Sequence, residues 1–321
     1  MNKLPNNQIK RAQDVMMKAI IQHDYRGIDT LTVEDRLLEP MTPLSVIVKN
    51  KYAPVLPYDW MTEDGKLKDI RPVKLPMVIG YGFAGVVERV GILRNKNLIG
   101  KKVIGANLSG AAKGYINSQI PPLLFEVPEN VALKDAATVI GGADAALHAV
   151  KTVRASARDV VLVTGASGGV GSYLIQLLKQ RGALVVAIGH PNNFDFLKEV
   201  GADYVVSYKS SLALQLKKVP TINKVIDTVG EGEILRQISN ATGALEILSL
   251  SMTNFSSLKT NQTFKFSHGT VGIQGYRDLL NLMAQKKIRA HIQKIYQYSE
   301  VKEAQLVSKN ERSQGRILLE F

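Results

Sequence analysis

Hydrophobic and polar positions change rhythm once along this chain. Up to about residue 135 the apolar residues fall in short β-branched runs, "MKAIIQ", "LSVIVKN" and "FAGVVERVG", bounded by Gly, Pro or Asn. That is the pattern of strands closed by turns. Glycines at 80, 82, 85, 91, 100, 105, 110 and 114 suit the tight corners of a crowded β-barrel. Proline-flanked "SQIPPLLFEVPENV" reads as its last strand and exit. From about 137 apolar strands alternate with helical segments. The strands are "VVLVTG", "LVVAIG", "YVVSY", "KVIDTVG", "ALEILSLS" and "GTVGIQG"; between them lie "GSYLIQLLKQRG", "NFDFLKEVGA", "SLALQLKKV" and "EILRQISNATG". Strands about twenty residues apart, separated by helices, predict right-handed crossovers and a parallel, doubly wound six-stranded sheet in an α/β domain.

The tail "IRAHIQKIYQYSEVKEAQLVSKNERSQGRILLEF" returns to a β-α-β character, is too short to fold alone, and is expected to rejoin the barrel. These rhythms divide the chain into an arm at 1–16, a β-rich domain at 17–136, an α/β domain at 137–285 and a returning segment at 286–321. The arm, "MNKLPNNQIKRAQDVM", has no strand or helix period and is expected to be disordered, with Met17 as the working start.

Composition narrows the class. The 321 residues, 45% hydrophobic and 21% charged, suffice for two domains with full cores. No run approaches the ~18 uninterrupted apolar residues of a membrane span, so no membrane insertion is expected. The absence of cysteine excludes disulfides and thiolate metal sites and suits a reducing cytoplasm. A net charge of +13 admits two readings: attraction for a polyanion such as RNA, or a solvated surface that draws a phosphate-rich cofactor into a cleft. The basic residues are scattered and aromatics are only 6%, which weighs against nucleic acid as the main partner.

The strand "VVLVTG" runs into Ala166, Ser167, Gly168, Gly169, Val170 and Gly171, and then an apolar-faced helix. Missing Cβ atoms let the backbone approach a pyrophosphate and let the helix pack close to the sheet, while the free N–H groups of its first turn meet the anion. The first glycine of the usual GxGxxG is Ala166; the flanking strand, helix and second strand carry the reading instead. NAD-binding folds place an acid about 20 residues past the last glycine, to hold the ribose 2′-hydroxyl. Here Gly189, His190, Pro191, Asn192 and Asn193 stand there, with no carboxylate before Asp195. Small neutral or cationic groups admit a 2′-phosphate, and one charge-assisted bond of ~1.5–3 kcal/mol shifts cofactor choice about 10- to 100-fold. NADPH is therefore favoured over NADH; in the competing view His190 only caps its strand.

Together with "GYGFAGVVERVG", "ENVALKDAATV", "FLKEVGADYVV", "IDTVG" and "GRILLEF", these residues resemble the zinc-free quinone oxidoreductase branch of the medium-chain dehydrogenase/reductase family, over nearly the whole chain from Met17. The resemblance implies a GroES-like β-barrel catalytic domain beside a Rossmann domain, with NADPH and substrate in the cleft between them. It also implies a homodimer and the reduction of quinones or α,β-unsaturated carbonyls. Tyr208 falls where this branch has a tyrosine contacting the 2′-phosphate, whereas the lysine often found past the second strand is replaced by asparagines. Zinc-dependent relatives need cysteine and a Gly-His-Glu segment; this chain has no cysteine and reads Gly80-Tyr81-Gly82 there. The five histidines, at 23, 148, 190, 268 and 291, show no ligand spacing. The chain also departs from the branch's Asn-Pro-x-Asp segment, with Leu56-Pro57-Tyr58-Asp59-Trp60, and places Asp144 where a threonine-bearing loop is usual.

Hydride transfer needs position, exclusion of water and a donor for charge developing on the acceptor oxygen. The candidate catalytic wall is Tyr58, Asp59 and Trp60: Trp60 sandwiches a flat acceptor or belongs to the barrel core, and Tyr58 donates to the acceptor oxygen or faces solvent. Asp59 is expected to brace the loop or the cofactor ribose. Asp144 is a pocket carboxylate or a helix cap, and His148, one turn later, is expected to pack. At the carboxyl ends of the fourth and fifth strands, where ligands lie in doubly wound sheets, Asp227, Thr228, Val229 and Leu250 offer backbone contacts to the cofactor. The rival to a reductase is a non-catalytic NADPH-binding protein that also meets RNA through its basic surface.

Overall fold

The computed structural model describes residues 15–69, 71–119, 123–256, 259–311 and 313–321, which fall into two compact units. Of the described residues, one unit holds those from 15 to 140 together with 294–311 and 317–321; the other holds those from 141 to 293 and 313–316.

In the first unit, β1 (Met16–Gln22) lies between β2 (Thr32–Leu37) and β4 (Met77–Val78) in a three-stranded sheet. Strands β3 (Val46–Val55), β5 (Gly82–Val90), β6 (Lys102–Ala106), β7 (Tyr115–Ser118) and β8 (Leu124–Glu126) belong to a second sheet, and the helices are α1 (Pro57–Glu63) and α2 (Leu133–Ala137). The alternating burial of β5 follows its sequence: Phe83 and Val87 go inward against Val46, Val48 and Val103, while Val86 and Glu88 face out. The expected arm ends earlier than residue 16. Met16 already pairs with Leu37, and the Val15 carbonyl accepts from the Leu38 amide at 2.9 Å. Residues 1–14 lie outside the described residues.

The second unit opens with α3 (Asp144–Thr152) and continues through β9 (Val160–Val163), α4 (Gly171–Gln180), β10 (Leu184–Gly189), α5 (Phe194–Val200), β11 (Tyr204–Ser207), α6 (Leu212–Leu216), β12 (Lys224–Asp227), α7 (Gly232–Ala241), β13 (Leu245–Ser249), β14 (Gln262–Phe266) and α8 (Gly272–Ala284). The sheet order is β11-β10-β9-β12-β13-β14, and all its pairings are parallel. This is the doubly wound dinucleotide-binding arrangement, whose order reverses beside β9. The strands read as near-continuous apolar runs because both faces are covered: Val161, Leu162, Val163, Val185 and Val186 are fully buried.

The sixth strand is not "GTVGIQG". That segment enters α8, whose first residue, Gly272, has φ +68°. The strand is "QTFKF", in register from Leu245 opposite Gln262 to Ser249 opposite Phe266. Its polar residues concealed it: Gln262 is buried, and its amide donates to the Ser239 and Gly243 carbonyls at 3.0 and 2.8 Å. A buried polar side chain with all partners supplied looks like loop in a sequence.

The chain then returns through β15 (Ile292–Gln297), α9 (Val301–Asn310) and β16 (Arg316–Glu320), giving the second sheet the order β15-β16-β3-β5-β6-β8, with β7 also on β3. Val301 and Ala304 of α9 and Ile317 and Leu319 of β16 join Ile20, Ile28, Leu31 and Val55 in one apolar cluster. No described helix is long and apolar enough to cross a membrane.

Candidate functional site

Two places carry the candidate residues, one in each unit. The turn between β9 and α4 is shaped by what its glycines leave out. Gly165 has φ +58°, and a Cβ there would come within 2.4 Å of the Thr228 hydroxyl. A Cβ on Gly171 would lie 2.2 Å from the Gly165 carbonyl oxygen and 2.5 Å from the Ala166 Cα, so the helix reaches the turn only because that atom is missing. Above Gly168 the space is open: a Cβ would meet only the Gly165 oxygen, at 3.4 Å. Among the described residues the amides of Val170 and Gly171 find no acceptor, whereas Ser172 and Leu174 already bond back to Gly168 and Val170 and Gly169 is tied to the Gly315 backbone. Two amides at the mouth of a ten-residue helix are thus left without a partner, beside the open space at Gly168.

The end of the chain backs this turn. Gly315 forms a parallel bridge to Gly168, and its amide donates to the Ser167 carbonyl at 2.7 Å. The Arg316 guanidinium packs where a Cβ on Gly169 would fall and donates to the Gly141 carbonyl. The Asn193 side chain belongs to this backing. It is buried; its amide nitrogen donates to the Ser167 hydroxyl (3.0 Å) and the Ser313 carbonyl (3.2 Å), and its oxygen accepts from Gln314 (2.9 Å). An amide with every arm engaged inside presents nothing to a ligand.

At the strand ends, the rings of His190 and Tyr208 approach edge to face at 6.1 Å, and the Lys209 ammonium lies 5.3 Å from the Tyr208 ring centre. Tyr208 is 38% exposed. The His190 Nδ1 accepts the Asn192 amide at 3.2 Å, so the ring caps its turn and also stands beside Tyr208. Lys209 was missed in the sequence, although it directly follows Tyr208 in "VVSYK". The Asp227 side chain is buried and takes hydrogen bonds from the hydroxyls of Thr164 and Ser249, both at 2.6 Å, and from the Gly230 amide at 3.1 Å. Its carboxylate therefore ties β9, β12 and β13 together, while its carbonyl accepts from the Leu250 amide at 2.8 Å. Thr228 is likewise held, donating from its amide and hydroxyl to Thr164. Val229, half exposed, is free to contact a ligand.

Asp144 opens α3. One carboxylate oxygen accepts the Ala145 amide at 2.6 Å and the other the Tyr276 hydroxyl at 3.0 Å. Loss of water pushes its pKa up against those bonds and the nearby Arg316 charge. These contacts are those of a helix-end brace. His148 lies 3.0 Å from the Ser267 hydroxyl, and burial, with Lys265 and His268 nearby, pushes its pKa down.

In the first unit α1 starts where Pro57 presets the helical φ and the Asp59 carboxylate accepts the Leu56 amide at 2.9 Å. A pocket of about 60 Å³ lies beside it, lined by Gln22, Tyr58, Glu63, Arg71, Tyr81 and Leu108 among others. The Tyr58 and Tyr81 rings meet edge to face at 6.5 Å. Tyr58 and Asp59 line the pocket; Trp60 does not. Its indole packs on the apolar cluster with Ile20 and Val301, under the Lys66 and Lys309 ammonium groups at 5.2 and 5.7 Å. Of the two readings open for Trp60 the structure favours the barrel core: one helical step turns residue 60 about 100° from residue 59, away from the pocket.

Glu63 was not foreseen. It is fully buried, accepts from the Gln305 amide at 2.8 Å, and burial pushes its pKa up to about 8, reinforced by the charges of Asp59 and Asp64. In "MTEDG" it reads as surface acid, and its partner lies 242 residues away. Gly82 has no room for a side chain, since a Cβ would fall 2.8 Å from Ile140 and 2.9 Å from Pro54. No cluster of three or more His, Cys, Asp or Glu able to hold a metal occurs among the described residues.

Comparisons place this geometry. Residues 42–121 match the alcohol dehydrogenase GroES-like domain and residues 169–264 the zinc-binding dehydrogenase model, together more than half of the chain. The chain is 33% identical over 207 residues to a chloroplastic quinone-oxidoreductase homolog of Spinacia oleracea, covering 61% of this chain and 62% of that one. It is 29% identical over 204 residues to the chloroplastic NADPH-dependent alkenal/one oxidoreductase of Arabidopsis thaliana, covering 60% and 52%. The chain spans less than two thirds of the length of these curated relatives. The solved quinone oxidoreductase of Coxiella burnetii superposes with a TM-score of 0.85 at 26% identity, over 96% of this chain and 100% of that one. With a GroES-like unit, a Rossmann unit in the strand order above and these relatives, the chain belongs to the quinone-oxidoreductase-like medium-chain dehydrogenase/reductase family.

Proposed function

We propose that the chain is an NADPH-dependent oxidoreductase that reduces a quinone or an α,β-unsaturated carbonyl without zinc. One observation carries the reading: the Val170 and Gly171 amides at the mouth of α4 have no partner among the described residues, and the space at Gly168 beside them is open. The residues fit a dinucleotide. Gly168, Gly169, Val170 and Gly171 would hold the pyrophosphate through their backbone, and Ala166 and Ser167 shape the turn. Tyr208 and Lys209, with His190 beside them, would meet a 2′-phosphate, and no carboxylate of that strand end repels it. The name of the Arabidopsis relative, an NADPH-dependent alkenal/one oxidoreductase, supports the same cofactor and acceptor class.

When bound, the reduced nicotinamide supplies a hydride to the acceptor; the accompanying proton comes from water. Tyr58 offers its hydroxyl to the acceptor oxygen in the pocket beside α1, and Tyr81 braces its ring. Asp59 holds the start of α1 in place. Two facts favour a zinc-free site: the chain has no cysteine, and Gly82 leaves no space for the glutamate of a Gly-His-Glu segment. The lack of cysteine also suits the cytoplasm as working compartment. Among the described residues the outer strand β14 pairs with β13 alone, leaving an edge onto which a second copy can add its own strand as a homodimer.

Calorimetry with NADPH and NADH, followed by cofactor oxidation with a panel of quinones and enals, tests the reading. Tighter binding of NADPH with turnover on at least one acceptor is expected. Stronger binding of NADH would refute the cofactor assignment, and tight binding without turnover on any acceptor would replace the reductase by a cofactor-binding protein.

A further inference from the structure

The pocket beside α1 carries a charge that a neutral quinone does not use. The Arg71 guanidinium lines it and lies over Tyr58, 4.7 Å from the ring centre. Stacking on a ring leaves the in-plane N–H fork of an arginine available to a planar oxyanion. Arg71 has no ion pair among the described residues, whereas its neighbours Lys66 and Lys309 both sit on Asp64, at 3.3 and 2.8 Å. Lys68, over Tyr25 at 5.5 Å, and Lys74 add positive charge along the same segment. Of the two acids that line the pocket, Asp59 holds the Leu56 amide, and Glu63 keeps its proton at neutral pH.

We propose that Arg71 is an oxyanion subsite, so that the natural acceptor is an unsaturated carbonyl compound bearing a carboxylate or phosphate. The assignment of acceptor class rests on the reductase reading; the subsite itself does not. Hydride adds to the alkene, a proton from water completes the reduction, and the anionic group passes through unchanged.

The test uses the full chain with oxidised NADP, so that binding is measured without turnover, and compares 4-oxopent-2-enoate with its methyl ester by calorimetry. The acid is expected to bind about tenfold tighter than the ester at low salt, with the advantage shrinking as salt is raised. Arg71→Gln should erase the advantage without changing NADP affinity, and Arg71→Lys should restore part of it. Stronger competition by inorganic phosphate than by acetate assigns the anion to a phosphate ester, and the reverse assigns it to a carboxylate. Glu63 is faced by Asp59, Asp64, Lys309 and Gln305 and shares the pocket with Arg71, Tyr58 and Tyr81. The advantage should therefore decline as pH passes about 8 and stay level in Glu63→Gln. Equal affinity for acid and ester with no competition by either anion, or full preference retained in Arg71→Gln, overturns the proposal. Anion binding through Arg71 with no turnover on any acceptor would sink the reductase reading and leave the subsite standing. Turnover on neutral acceptors with no preference for the acid would do the opposite.

Discussion

The turn before α4 and the pocket beside α1 are built by opposite means. The turn is made of backbone: its form depends on Cβ atoms that are absent at Gly165 and Gly171, and its donors are main-chain amides. The pocket is made of side chains drawn from β1, α1 and the segment around Arg71, and Glu63 behind it is held by α9. A backbone site tolerates change in most side chains but almost none at its glycines. A side-chain site can change ligand through one residue while its frame stays put.

The contrast is broken most sharply at Gly171. Gly171→Val places carbon within contact of the Gly165 oxygen and Ala166 Cα. It should lower NADPH affinity by about a hundredfold or more and cost about 1–3 kcal/mol of stability, read by calorimetry and by thermal melts. Gly168→Ala, with room for its methyl, should melt near wild type and lose only cofactor affinity; equal damage to both variants would mean the cradle is not open above Gly168.

The pocket should respond to pH instead. The folded-state pKa of Glu63, about 8, lies above its unfolded value, so the stability it contributes is full below about pH 4.5 and falls as pH rises to about 8. The slope is about 1.4 kcal/mol per pH unit at most. Glu63→Gln keeps a partner for Gln305 and should flatten the melting profile over this window, gaining about 2–4 kcal/mol at pH 8. An unchanged profile would mean that Glu63 is ionised in the folded protein.

Smaller effects are expected at the strand ends. Lys209→Ala should weaken NADPH about five- to tenfold and leave NADH unaffected, since only one ligand carries the phosphate. Asn193→Ala should lower stability by about 1–2 kcal/mol while leaving the NADPH-to-NADH ratio as it was. A changed ratio would return Asn193 to the cofactor.

The same division decided what could be read in advance. β9, the glycine turn, α4 and β10 are contiguous, and their apolar runs and glycine spacing state their geometry outright. The sixth strand was misplaced because Gln262 is buried with partners on α7 and the loop after it, which no local pattern announces. Tyr58 is legible as a pocket residue, whereas the choice between wall and core for Trp60, two positions on, depends on the helical turn of Pro57–Glu63. Asn193 looked like a ligand contact from its place in the chain, yet its partners Ser313 and Gln314 come from the far end. The roles of Glu63 and Arg71 depend on neighbours and rings brought together only by folding.

The backing of the glycine turn by Gly315 and Arg316 sets an order of assembly. During translation the ribosome releases all six parallel strands before it releases residues 313–316. A nascent chain can therefore build its sheet early, and the turn gains its backing only when residues 313–316 emerge. A product terminated before them would carry the helix mouth without that support.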